Sequence, residues 1–564
     1  MKKPNLIYIV SLFLLLGSCS VKQQTGTAVQ EYEHGAVVTA HPIASTVGVD
    51  ILKKGGNAMD AAIAVKFALA VVYPNAGNLG GGGFLVYRGK DGEVNSLDFR
   101  EKAPGAASRD MYLDKDGNPI TDLSLYGQLA SGVPGSVAGM DEAHKKYGSL
   151  SWKELVQPAI DLAAKGFEIT DQQAGEFNRY KARFQKFNPN GAAIIQEKEW
   201  KAGDVFVQKE LSETLTRIAE QGRDGFYKGK TADYIVAEMK RGNGIISHKD
   251  LEDYQAIWRA PIVGMYKNYK VISMPPPSSG GVALMALLQS VEKYPLAKWG
   301  FQKDSTVRAM VEAERRIYAD RATHLGDPDF YRVPVANLMD AKFNQDRMSK
   351  VSLAKATPSD AVKAAKFPGY ESEQTTHYSI VDKDGNAVSL TTTINGSYGS
   401  CVWVDGAGFL LNNEMDDFSV KPGTPNMYGL LGGKANSIEP GKRMLSAMTP
   451  TIIEENGKLK MVVGTPGGST IITSVFQTIL NVLEFGMTAQ ESVSAARFHH
   501  QWKPDVIDVE AEAIDSLTRV SLTEDGYKLN KRGPIGRVEN IVILPNGRKQ
   551  TGADHRGDDK AAGY

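Results

Sequence analysis

Two cysteines in 564 residues leave little scope for covalent cross-linking. One is Cys19, in the N-terminal segment, and the other is Cys401. If Cys19 is engaged elsewhere, a single thiol remains, no internal disulfide can form, and the core must supply the stability. Net charge is lacking too. The 65 Lys and Arg cancel the 65 Asp and Glu, and no basic run of the kind that tracks phosphates occurs, which argues against a nucleic-acid partner. Linkers are the third absence. No long Pro/Ser/Gly or single-sign stretch interrupts the chain after Gly35, so one large body is expected where length alone would suggest several domains.

What is present begins at the N-terminus. Lys2 and Lys3 precede an apolar run at 6–16 that is too short to span a bilayer as a helix and has the composition of a signal-peptide core. It ends in Leu16-Gly17-Ser18-Cys19, which resembles a bacterial lipobox, in which the cysteine is acylated on sulfur and becomes the first mature residue. Residues 1–18 are therefore expected to be a lipoprotein signal peptide and 19–34 a small, polar tether. The protein would be exported and lipid-anchored in the bacterial envelope, on the periplasm-facing outer membrane or the cell surface, meeting the membrane only through its anchor.

Helices and strands are both abundant. Residues 43–72 read as two Ala-rich helices broken at Gly55-Gly56, with Asn57 as N-cap of the second, which is apolar nearly all round and so buried. Helical spacing recurs at 155–164, 210–221, 282–292 and 306–322. Short β-branched or alternating runs occupy 84–87, 270–273, 378–381, 387–394, 459–463 and 541–544. This mixture favours an antiparallel sheet core covered by helices, an α+β fold.

The run Gln374-Thr375-Thr376-His377-Tyr378-Ser379 leads into a strand, then Asp384-Gly385, then a second strand ending Thr391-Thr392-Thr393-Ile394-Asn395. Asp-Gly between alternating runs signals a hairpin, and loop length sets its register. A two-residue loop pairs Thr375 with Ile394; a three-residue loop, 383–385 with a left-handed glycine, pairs it with Thr393. Only the second puts a hydroxyl beside Thr375.

With Asn412-Asn413-Glu414-Met415-Asp416-Asp417-Phe418 and Gly464-Thr465-Pro466-Gly467-Gly468-Ser469 downstream, this run resembles the γ-glutamyltransferase family. The likeness extends over Asn78-Leu79-Gly80-Gly81-Gly82-Gly83, Asp98-Phe99-Arg100-Glu101-Lys102-Ala103-Pro104, residues 275–281 and 497–502, and the terminal Ala562-Gly563-Tyr564. The family lies among the N-terminal nucleophile hydrolases. It implies a four-layer αββα sandwich, with two stacked antiparallel sheets between helical layers, and a precursor cut at one internal bond.

That bond would be Gln374-Thr375, dividing the chain into a large subunit, 35–374, and a small catalytic subunit, 375–564, that remain one body. The freed α-amine, with an ordinary pKa of about 7.7 to 8.0, can accept the Thr375 hydroxyl proton, so no histidine base is needed. By resemblance, Thr375 and Thr393 are catalytic and Gly467 and Gly468 supply the oxyanion N–H donors. Arg100 grips the substrate α-carboxylate, Glu414 and Asp417 accept its α-ammonium, Asn395 orients it, Ser446 adds a hydroxyl, and Tyr428 closes over the pocket from a lid loop at 421–430. Implied partners are γ-glutamyl donors such as glutathione and amino acid or peptide acceptors. Neither a cofactor nor a metal is implied: Gly80–Gly83 lacks the following Lys and Ser/Thr of a phosphate loop, and His499-His500 lacks ligand spacing. Asp558-Asp559, near the C-terminus, reads as solvated.

One departure bears on the substrate. Many members carry two adjacent serines at the carboxylate site, whereas this chain reads Leu445-Ser446-Ala447-Met448. The lost hydroxyl keeps open a related acylase of the glutaryl or cephalosporin type, whose substrate lacks the α-amine. A non-catalytic ligand-binding lipoprotein is the third class, disfavoured by the intact Gln374-Thr375 junction and Gly467-Gly468.

Overall fold

The computed structural model describes residues 29–365, 376–421, 427 and 434–564. Two seven-stranded sheets organise them. The first runs Gln30–Tyr32, Lys549–Ala553, Glu539–Ile543, Lys458–Gly464, Thr451–Glu455, Tyr269–Ser273 and Ile262–Tyr266, every neighbour antiparallel. The second runs Lys560–Gly563, Ala36–Thr39, Thr376–Val381, Ala387–Thr393, Gly82–Arg88, Val94–Asp98 and Ile257–Arg259, again antiparallel throughout. Each sheet draws strands from both sides of the predicted cut.

The expected four layers follow from where the apolar faces go. Between the sheets, Val38, Phe84, Val86, Ile272, Val381, Ile452, Val462 and Ile541 interdigitate. Outside the second sheet lie the helices Pro42–Lys53 and Ala58–Val72, separated at Gly55-Gly56 as expected. Asn57 forms a capping box with Asp60, a device worth about 1 kcal/mol, and every residue of Ala58–Val72 is buried. Outside the first sheet, Gly280–Val291, Asp304–His324 and Thr470–Leu483 pack over Val271, Ile453, Met461 and Val463. The expected helices at 155–164 and 210–221 lie within Trp152–Lys165 and Lys209–Gln221.

The hairpin takes the three-residue loop. Thr376 faces Thr392 and Val381 faces Ala387, Asp382 N–H donates to Asn386 O at 3.1 Å, and Gly385 is left-handed at φ +87. The glycine run is explained by close approach rather than by turns. A Cβ on Gly81 would stand 2.0 Å from the Thr393 carbonyl oxygen, and one on Gly83 2.4 Å from that of Thr391, so only glycine lets these backbones pack.

Two expectations need correcting. The tether does not extend to residue 34, because Gln30–Tyr32 pairs as an edge strand with Lys549–Ala553 and His34 N–H donates to the Tyr564 carbonyl. A sheet edge needs a partner, and these residues supply it. Nor is Asp559 solvated: its carboxylate is fully buried against the Arg537 guanidinium, which offsets the cost of burying it.

Candidate active site

The ends of three elements meet at one edge of the sandwich. Ala387–Thr393 delivers Thr393 and, just beyond, Asn395 in a left-handed conformation at φ +64. Thr393 Oγ1 accepts from Asn395 N–H at 2.7 Å and donates to Glu414 Oε1 at 3.3 Å. Asn395 Nδ2 donates to the Asn413 carbonyl at 2.9 Å, tying this strand end to the single turn Glu414–Asp417. Asn412 anchors that turn, donating from its amide to the Gly80 and Gly132 carbonyls, both at 2.8 Å, and accepting Glu414 N–H.

Arg100 follows Val94–Asp98 and is wholly buried. Its fork engages Glu414 and Asp417, one through each terminal nitrogen, while Nε and Nη2 also donate to the Met444 and Leu445 carbonyls at 3.2 and 3.1 Å. Arg100, predicted as the carboxylate grip, and Glu414 and Asp417, predicted as the ammonium acceptors, are thus brought together and pair with one another. Glu101 stands 3.6 Å from the same guanidinium, and neither of its oxygens has a hydrogen-bond partner. Three carboxyls sharing one guanidinium in a dry pocket cannot all ionise cheaply. Burial pushes Glu414 and Asp417 well up against the pull of Arg100, and Glu101 up to about 7. Arg100 itself is driven upward, because the three carboxylates together outweigh its own burial.

Behind the strand lies a polar hub that the sequence did not reveal. Asn78 Nδ2 donates to the Thr393 carbonyl at 2.7 Å and to Thr392 Oγ1 at 3.3 Å. Its carbonyl accepts Lys66 Nζ at 2.6 Å, and its Oδ1 accepts Ser136 Oγ at 2.6 Å. Burial lowers the Lys66 ammonium to about 7. A lysine in the apolar middle of the helix Ala58–Val72 was the available signal.

The folded chain holds the Glu101 proton to higher pH than the unfolded one. That advantage is complete below about 4.5 and is lost as pH rises through about 7. Glu101→Gln should therefore change stability little at pH 5 and raise it at pH 8 by on the order of 1–3 kcal/mol. Urea denaturation at the two pH values checks this, and equal effects at both would refute it.

The oxyanion candidates lie between Lys458–Gly464 and the helix Thr470–Leu483. Gly467 and Gly468 are at φ +139 and +62, and their carbonyls accept the Thr470 and Ile471 amides. Their own N–H groups donate to no other described residue, and the buried helix that follows adds its positive end. Ser446 is buried and accepts Met448 N–H at 3.1 Å, while Ala447 joins the apolar cluster of Leu445 and Ile453. His377 is fully buried between Thr391 and Ser379, and burial drops it to about 3. It is a neutral packing residue, not a base.

A cleft of about 270 Å³ opens beside these groups, with Thr376, Asn395, Ser397, Pro466 and Gly467 in its lining. Thr376 Oγ1 is buried and without a hydrogen-bond partner among the described residues. A cavity of about 740 Å³ around Tyr126 and Arg183 is larger but contains no predicted site residue, so size alone would choose the wrong place. Gln374, Thr375, Tyr428 and Cys19 lie outside the described residues.

Comparison with known proteins gives the family. The sequence model described as gamma-glutamyltranspeptidase matches residues 44–564. The chain belongs to this family. A glutathione hydrolase proenzyme of Escherichia coli K12 is 45% identical over 535 residues, covering 94% of this chain and 92% of that one. Among solved structures, a cephalosporin acylase from Bacillus halodurans superposes with a TM-score of 0.85 at 25% identity, covering 98% and 99% of the two chains. The Helicobacter pylori γ-glutamyltranspeptidase gives 0.57 at 43% identity over 60% of this chain and 96% of that one. The two-sheet sandwich of the γ-glutamyltranspeptidases, an N-terminal nucleophile hydrolase fold, is therefore the fold of this chain as well.

Proposed function

We propose that the chain is a γ-glutamyltransferase and glutathione hydrolase that cuts itself at Gln374-Thr375 and then works through Thr375. The observation that carries this reading is the buried group of Arg100, Glu414 and Asp417, set against Thr393 at the end of the catalytic hairpin. A γ-glutamyl donor brings its own carboxylate and ammonium. Its carboxylate takes the Arg100 fork, and its ammonium takes the places on Glu414 and Asp417 that Arg100 releases, so each charge changes partner without being left alone.

The observed register, with Thr376 opposite Thr392, is the one for which the sequence expectation pairs Thr375 with Thr393. Thr375 Oγ attacks the γ-carbonyl and passes its proton through the α-amine to the leaving amine. Gly467 and Gly468 N–H groups stabilise the oxyanion, a contribution of about 2.7 to 4 kcal/mol per donor. Water or an amine then takes the acyl group from Thr375.

The resemblance to a cephalosporin acylase and the alanine at 447 favour one competing reading, a glutaryl acylase. A glutaryl group has no ammonium and would leave Glu414 and Asp417 without a role. Release of the aniline from γ-glutamyl and from glutaryl anilides separates the two: turnover of the γ-glutamyl compound alone is expected, and preference for the glutaryl compound would overturn the assignment.

Export and anchoring through Cys19 complete the proposal, supported by the Lys2-Lys3, 6–16 and 16–19 pattern. Cys19→Ser should move the protein from the detergent phase to the aqueous phase in phase partition. Retention in the detergent phase would count against a lipid anchor.

A further inference from the structure

The cleft beside Gly467 has a second wall, made of Tyr73, Asn75, Gln172 and Glu176, for which donor binding has no use. Arg100, Glu414 and Asp417 are fully buried and do not line it. The cleft is thus the open side of the reacting centre, where a leaving amine departs and a second substrate arrives.

On that wall we propose that Glu176 recognises the acceptor, holding the amino group of an incoming amino acid or peptide, an inference that rests on the γ-glutamyl transfer reading above. Glu176 projects from the helix Asp171–Phe187 and is fixed through one oxygen only. Oε2 accepts Asn75 Nδ2 at 2.7 Å and Tyr398 OH at 3.0 Å. Among the described residues, Oε1 has only the exposed Arg179 guanidinium, at 3.9 Å, beyond hydrogen-bond reach. A carboxylate oriented by two donors, with its other oxygen open beside a cleft, suits an ammonium or amine.

The cations in the same lining are already engaged. Arg537 is held by Asp559 and the Tyr73 hydroxyl, and Arg556 by Glu510, Asp554 and the Val493 and Ala495 carbonyls. The charge left for a ligand is that of Glu176. On the facing wall, the unpartnered Thr376 hydroxyl offers one further hydrogen bond.

In the transfer step the acceptor ammonium first loses one proton to solvent. The neutral nitrogen then attacks the acyl carbon of the glutamyl–Thr375 ester, forming a C–N bond. The C–Oγ bond breaks, and one N–H proton passes through the Thr375 α-amine to Oγ. Glu176 Oε1 accepts a hydrogen bond from an N–H that is retained, so it orients the amine without taking a proton. Water needs no such grip, and hydrolysis should depend on Glu176 less than transfer does.

Glu176→Gln preserves shape, and its amide can still satisfy Asn75 and Tyr398. With a γ-glutamyl anilide as donor and glycylglycine as acceptor, the acceptor KM should rise about ten-fold, the loss of one charge-assisted hydrogen bond. The ratio of transfer to hydrolysis should fall at subsaturating dipeptide and recover at saturation. Glu176→Asp, which keeps the charge, should lie between the two, and transfer to methanol, an uncharged acceptor, should fall less than transfer to glycylglycine. An unchanged acceptor KM in both variants overturns the assignment, as does equal loss with methanol. If the unmodified protein releases no aniline even without acceptor, the donor reading itself has failed, a result distinct from a KM that does not move.

Discussion

Thr375→Ala is expected to give a single uncut polypeptide with γ-glutamyl turnover lower by at least about four orders of magnitude. The size of the effect follows from one residue serving twice. In the proposed mechanism, its hydroxyl attacks the carbonyl of Gln374 in the precursor, the acyl group moves from nitrogen to oxygen, and water frees the ester; after the cut the same hydroxyl attacks substrate and the new α-amine handles its proton. Alanine removes the hydroxyl from both steps and, because the chain stays whole, the amine as well. A denaturing gel beside an anilide assay reads both consequences. The unmodified protein should give fragments ending at 374 and beginning at 375, and a fully active preparation containing only uncut chain would refute the mechanism.

Arg100→Leu should be nearly as damaging, and on two counts. The guanidinium is buried with two carboxylates in direct contact and a third at 3.6 Å. Removing it strands those carboxyls in a dry pocket, and breaking a buried pair in this way costs about 3–5 kcal/mol. Whatever folds should also lose the donor α-carboxylate site, with kcat/KM for a γ-glutamyl anilide lower by at least about a hundred-fold. Arg100→Lys separates the two losses. It keeps a charge among the carboxyls but not the planar fork, so more stability than affinity should return. Denaturation midpoints and donor KM for both variants test this. A leucine variant with unmodified midpoint and KM would show that the buried cluster serves neither purpose.

Several features of the fold and site could be read from the sequence. The hairpin around Asp384-Gly385, the Asn57 cap and the two helices at 42–72 are local: they depend on period, turn chemistry and capping within a few residues. The catalytic roles of Thr375, Thr393, Gly467 and Gly468 came from resemblance, and the fold then placed Thr393 and the two glycines at the same edge. The Lys66–Asn78–Thr393 hub, Glu101 beside Arg100, and Glu176 were not legible. Each is an ordinary residue whose meaning lies in what stands opposite it, and no local pattern names that neighbour.

The sequence by itself determined the mixture of helices and antiparallel strands and the pair of registers open to the hairpin, because side-chain alternation and loop length leave only those two; the chemistry and the four layers were implied by its resemblance to a family. Tertiary structure chose between them, pairing Thr376 with Thr392 and setting Gly385 left-handed. It also decided which charges are buried together, by bringing Arg100 onto Glu414 and Asp417 from 314 and 317 residues away. It buried Asp559 and drew residues 30–34 out of the tether into the body. The physical reason is the same in each case. Burial and ion pairing depend on which surfaces the packed layers press together, and that is a property of the whole chain rather than of any stretch of it.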